Sequence, residues 1–147
     1  MIFLADPGDL KACIPCAEKF HNIYDPSVPF SESSFIDYWT SVLGAGNGFI
    51  LLAEHKDGDI IGGMGGVVAN FLTSSVPSFI EMFWWVEPEF RGKLGIKLYN
   101  ECISEAKKRG AKRALMAYMA GSMPNEMERL YTAMGYRPFE HHMIKDL

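Results

Sequence analysis

Residues 83–110, FWWVEPEFRGKLGIKLYNECISEAKKRG, constrain the chain more than any other stretch. They pass from an aromatic apolar run, through a break at Glu87-Pro88-Glu89 and a short basic glycine segment, into a long amphipathic pattern. Its spacing predicts a helix. Ile96, Tyr99, Cys102, Ile103 and Ala106 recur at intervals of three and four, Lys107, Lys108 and Arg109 fill the last turn, and Gly110 supplies the stop. Ahead of the helix, Gly92 and Gly95 let backbone approach a ligand closely, the first helical turn offers unpaired N–H groups and a positive dipole end, and Arg91 and Lys93 add charge. Strand, glycine loop and helix in that order make a cradle for phosphate.

The whole chain is the size of one domain. Its 147 residues, 48% hydrophobic and 22% charged, suit a globular protein with a real core, expected as a single domain over residues 1–147. A net charge of −4 argues against a broad nucleic-acid-binding surface and is compatible with a cationic or amine substrate. No apolar run approaches the roughly 18 residues that span a bilayer, and the first residues lack the pattern of a signal peptide, so the expected setting is cytoplasmic, with no membrane partner. Cys13, Cys16 and Cys102 are an odd number with no export signal, which argues against a disulfide framework.

In chain order, residues 1–5 suggest a short strand closed by the turn Asp6-Pro7-Gly8. A first helix is expected from Asp9 to about His21 with Leu10, Ile14, Ala17 and Phe20 inward; Pro15 forces either a kink or a later start. Ser31 or Ser33 can cap a second helix carrying Phe35, Ile36, Trp39, Val42 and Leu43. A hairpin turning near Lys56-Asp57-Gly58-Asp59 should come next. Gly62, Gly63, Gly65 and Gly66 in its second strand point to a bulge or a close approach. Residues 78–86 form the strand that leads into the glycine loop. Further strands are expected over residues 112–119 and 136–144, with a helix over 124–134 between them that ends at Gly135. The order β-α-α-β-β-β-α-β-α-β makes a mixed sheet with helices on both faces.

The strand ending at Val86, the Pro88-x-x-Arg91-Gly92 step, the helix closing AKKRGAKR and the late segment ERLYTAMGYRPF resemble the GNAT superfamily of acetyl-coenzyme A-dependent N-acyltransferases. Within that superfamily the loop RGKLGIKL looks most like the small bacteriophage acyltransferases. The resemblance implies an α/β (α+β) GNAT-like fold, a central mixed twisted sheet of 6–7 strands flanked by about four helices. It also implies an enzyme that transfers an acetyl group from acetyl-CoA to a primary amine, small-molecule or peptide, by direct attack in a ternary complex, and a possible homodimer.

The resemblance further implies a set of site residues. The pyrophosphate would lie on backbone N–H groups of Arg91, Gly92, Lys93, Leu94, Gly95 and Ile96, pantetheine would run along the strand edge at Trp85 and Val86, and Asn125 would join the cofactor site. Glu81 would be the base that deprotonates the amine, and Tyr131 the acid that protonates the departing thiolate. Two features depart from the family pattern. The loop is best matched one residue short, ending at Gly95. Glu81 stands five residues before Val86 where six are usual, and one residue of strand turns a side chain to the opposite face, so Glu81 needs a bulge to reach the family's position.

Two other readings compete. One is a non-catalytic acyl-CoA-binding protein of the same fold. The other is a glutaredoxin-like thiol–disulfide oxidoreductase, because Cys13-Ile14-Pro15-Cys16 follows a strand and opens a helix and Val76-Pro77 could stand in for a cis-proline loop. His141 and His142 would point to opposite faces of a strand, so no metal site is expected.

Overall fold

The computed structural model describes all 147 residues, which form two compact units, Met1–Ala117 and Tyr118–Leu147. The first unit contains one five-stranded sheet in the order β1-β2-β3-β4-β5. Its strands are β1 (Ile2–Leu4), β2 (Gly48–Glu54), β3 (Ile60–Asn70), β4 (Pro77–Val86) and β5 (Arg113–Leu115). The first four pair antiparallel, and β4 pairs with β5 in parallel through Ser78↔Arg113, Phe79↔Ala114 and Ile80↔Leu115.

Side-chain alternation along the strands feeds two cores. Phe49, Leu51, Met64, Phe79 and Val86 pack under α3 (Lys93–Lys108), whose Leu98, Cys102 and Ala106 are buried at the spacing read from the sequence. Burying Leu98 alone contributes about 2 kcal/mol. On the opposite face Ile50 and Leu52 pack with Leu10, Cys13 and Trp39, which come from the segment before α1 (Ile14–Tyr24) and from α2 (Glu32–Gly44).

The expected first helix is divided. Residues Pro7–Cys13 form a 3₁₀ helix with an Asp6/Asp9 capping box, and α1 starts at Ile14, so Pro15 falls in the first turn, where its missing N–H costs nothing. Ser31 caps α2 through its hydroxyl.

The second unit holds α4 (Pro124–Ala133). Gly135, at φ +89°, ends it, and Tyr136 N–H donates to Tyr131 O at 2.9 Å.

The strand count is lower than expected. The sheet has five strands rather than 6–7, because residues 136–144 form no strand and β5 stops at Leu115. Met143 and Ile144 are almost fully exposed, so that segment buries no apolar face, and Pro138 removes a ladder donor from it. The short β5 has another cause, which lies in β4.

Candidate active site

The ladder between β3 and β4 pairs Gly65 with Phe83 and Gly66 with Glu81, leaving Met82 as an extra residue. This is the bulge that Glu81 needed. It is built at Gly66: a Cβ there would overlap the Ile80 carbonyl oxygen and lie 3.0 Å from Glu81 Cα, so only glycine lets the two strands approach this closely. The extra residue reverses the alternation. Phe79 packs toward α3 before the bulge and Trp84 and Val86 pack there after it, whereas Phe83 belongs to the opposite core.

Pairing of β4 with β5 also ends here, at Ile80↔Leu115. Two residues further on, the Ala117 N–H donates to Glu81 Oε2 at 3.0 Å instead of to a strand carbonyl. The carboxylate therefore sits where the two parallel strands part. Burial raises the pKa of Glu81 from the ordinary 4.5 to about 7, against the smaller downward pull of the Ala117 N–H. Its charge reaches α3: burial first, then Glu81, push the Cys102 thiol up to about 12.

The far end of β4 is a backbone site. Glu87 N–H donates to Ile61 O at 2.8 Å, so two-residue alternation directs Trp85 toward β3 and turns the backbone of Trp84 and Val86 to the other edge, beyond the end of β5. Arg91 folds back on this strand end, donating from Nε to Val86 O at 3.1 Å and placing its guanidinium 5.1 Å from the centre of the Trp85 ring. Gly92 is the N-cap of α3 with φ +87° and ψ −112°, a conformation that strains any residue with a Cβ.

The expected six-residue loop is thus largely helix. Residues 93–96 are the first turn of α3, and the Ile96 N–H is committed to Gly92 O at 3.1 Å. The N–H groups of Lys93, Leu94 and Gly95 precede the first intrahelical hydrogen bond and have no partner within the helix. They carry the positive end of a 16-residue dipole, with the Lys93 side chain exposed beside them. Gly95 is buried and packs against Trp84 and Val86, with 3.7 Å from its Cβ position to Trp84 Cζ2. An anion fits such an end.

The second unit carries the other two expected residues. Tyr131 is buried on α4, its ring 6.2 Å from Tyr118 and 5.4 Å from Tyr136. Asn125 lines an open recess along α4 with Glu128, Arg129, Thr132 and Ala133.

Sequence reasoning missed one cluster. Glu87, buried just past β4, accepts from Lys19 Nζ at 2.8 Å and from Cys16 Sγ at 3.3 Å. Cys16 and Lys19 share one face of α1 at three-residue spacing, which is visible in the sequence; their distant partner is not. The same geometry disposes of the thiol–disulfide reading. Cys13 and Cys16 are buried free thiols, pushed up by burial to about 11 and about 12, and Cys16 also donates to Ile60 O at 2.9 Å. Redox chemistry needs the reverse, accessible thiols of lowered pKa.

The parallel pair of β4 and β5 thus parts beside the Glu81 carboxyl group, and the N-terminus of α3, open to anions, packs against the end of β4. Comparison with known proteins gives the class. The family model described as the acetyltransferase (GNAT) family matches residues 17–136, and the chain belongs to that family. As a member it is an acyltransferase that uses acetyl-CoA.

Solved structures agree in fold. A probable acetyltransferase superposes with a TM-score of 0.77 at 18% identity, covering 100% of this chain and 98% of the other. A predicted acetyltransferase from Clostridium acetobutylicum, solved with acetyl-CoA, gives 0.75 at 15% identity, covering 99% and 95%. An aminoglycoside N-acetyltransferase in complex with CoA gives 0.74 at 13% identity, covering 100% and 98%. No curated protein sequence matches. No helix is long and apolar enough to cross a membrane.

Proposed function

We propose that the chain, acting as one GNAT domain over residues 1–147, transfers an acetyl group from acetyl-CoA to a primary amine by direct attack in a ternary complex. Bound acetyl-CoA supplies an acyl thioester, a carbonyl already reactive toward neutral amines. The chain's residues do the rest. The N–H groups of Lys93, Leu94 and Gly95, with the charge of Lys93, hold the pyrophosphate. Arg91 contributes by fixing the loop to the end of β4, since its Nε is already engaged with Val86 O.

The edge-directed backbone of Trp84 and Val86 receives the pantetheine arm and stabilises charge on the carbonyl oxygen during attack. Glu81 would take the proton that the ammonium form of the acceptor must lose; as the N–C bond forms and the C–S bond breaks, Tyr131 would protonate the departing sulfur, and the second proton shed by the nitrogen would restore the Tyr131 hydroxyl.

One observation carries this reading: the carboxyl group of Glu81, with a pKa near 7, stands where β4 and β5 separate. A base with that pKa is half ionised at neutral pH and still basic enough to accept a proton from an amine. Two measurements test it. Acetyl-CoA should raise the melting temperature of the protein, and a panel of primary amines should release CoA thiol. Stabilisation without thiol release from any amine would leave a cofactor-binding protein and overturn the catalytic reading.

A further inference from the structure

A second set of residues, beside Glu81, bears on which amine is acetylated, a question that rests on N-acetyl transfer being the reaction. Aromatic rings form a continuous series across the α1/α2 face of the sheet. Exposed Tyr24 stacks on Phe20 at 5.9 Å, Phe20 meets Phe83 edge-on at 6.3 Å, Phe83 meets Trp39 at 5.2 Å, and Trp39 meets Tyr38 at 5.5 Å. Tyr38 Oη then donates to the Met82 thioether at 3.5 Å. Met82 is the bulge residue, next in the chain to Glu81.

The two ends of the series face solvent. Tyr24 is 67% exposed, Tyr38 47% and Met82 39%, while Trp39, against which Tyr38 packs, is buried. Tyr38 and Met82, in contact and both partly exposed, offer an aromatic ring and a thioether to an apolar partner.

Charge narrows the choice. Residues 14–44, which supply α1 and α2, carry the carboxylates of Glu18, Asp25, Glu32 and Asp37 against one lysine, Lys19, whose ammonium is already held by Glu87. That acidic excess on α1, α2 and their connection favours a cation, and exposed tyrosine faces attract one further.

We propose that the acceptor is a small primary amine bearing an aromatic or similarly bulky apolar body. The body lies against Tyr38 and Met82, and the amine is directed toward Glu81. The bulge then has two roles, turning Glu81 into the gap between the strands and lifting Met82 out as part of the acceptor wall.

Steady-state thiol release with acetyl-CoA and 2-phenylethylamine, propylamine, spermidine or a lysine-containing peptide tests this. The expected result is a kcat/KM for 2-phenylethylamine roughly tenfold or more above that for propylamine, the scale of one well-packed aromatic contact. Tyr38→Ala should erase that advantage by raising KM for the aromatic amine by a larger factor than for propylamine, and Tyr38→Phe should retain it. An aromatic preference that survives Tyr38→Ala, no preference at all, or spermidine or the peptide as the best acceptor would each overturn the inference and leave N-acetyl transfer standing. If no amine releases thiol, N-acetyl transfer fails and the inference fails with it.

Discussion

Glu81 and Glu87 stand six residues apart in the chain, one inside β4 and one just past its end, and both are largely withdrawn from solvent. Burial acts on both to raise the pKa. At Glu81 nothing but a single backbone N–H opposes it, and the pKa reaches about 7. At Glu87 the Lys19 ammonium and the Cys16 thiol outweigh burial, and the pKa falls below 4.5. The same side chain therefore holds its proton more tightly at one position and less tightly at the other, and the difference lies in the partners each local backbone brings. The bulge gives Glu81 only an amide; α1 gives Glu87 a cation. The first carboxylate can exchange a proton near neutral pH, and the second ties α1 to the segment that leads into α3.

The largest effect expected from breaking this contrast is on activity. Glu81→Gln should lower kcat/KM by about a hundredfold or more and abolish the rise in rate through pH 7 expected of the wild type, as followed by thiol release. Stability should respond with opposite signs at the two sites. The folded state holds the Glu81 proton more tightly than the unfolded chain, so stability falls as pH rises from 4.5 through about 7. Glu87 behaves the other way: its contribution is full above 4.5 and is lost as pH falls below that value. Urea unfolding at about pH 5 and about pH 8 should show that Glu81→Gln gains relative to wild type at the higher pH.

Next in size is Gly66→Ala. The added Cβ collides with the Ile80 carbonyl oxygen, and the strain should cost about 3 kcal/mol in urea unfolding and displace Glu81, lowering activity further than stability alone explains. Gly92→Ala, at φ +87°, should cost about 2 kcal/mol and shrink the thermal shift produced by acetyl-CoA, with the pKa of Glu81 unmoved. The smallest effect belongs to Glu87→Gln. Deleting that charge should cost less than about tenfold in the folding constant and leave the pH dependence of the reaction in place, as a melting curve and a pH–rate profile would show.

The parts of the molecule that obey local rules are legible in the sequence. α3 is, because its apolar spacing and Gly110 suffice, and so is the hairpin between β2 and β3. The need for a bulge at Glu81 is legible too. Its construction is not, because it depends on Gly66 facing Ile80 across a strand pair, a long-range register that no window of sequence holds.

The same blindness accounts for the two strand errors. Residues 112–119 have the composition of a strand, but the ladder with β4 ends at Ile80↔Leu115, just before the bulge; residues 136–144 hold apolar side chains, but Phe139, Met143 and Ile144 are exposed. The Cys13/Cys16 pair resembles a redox motif because spacing does not reveal burial, and burial is what makes both thiols inert.

The most direct test of the contrast on β4 is a site-resolved carboxyl titration of the intact protein, with Glu81 and Glu87 identified by their Gln variants. Glu81 should titrate near 7 and Glu87 below 4.5. Glu81 titrating at 4.5 with the fold intact would remove the near-neutral base from the site and contradict its role in the reaction.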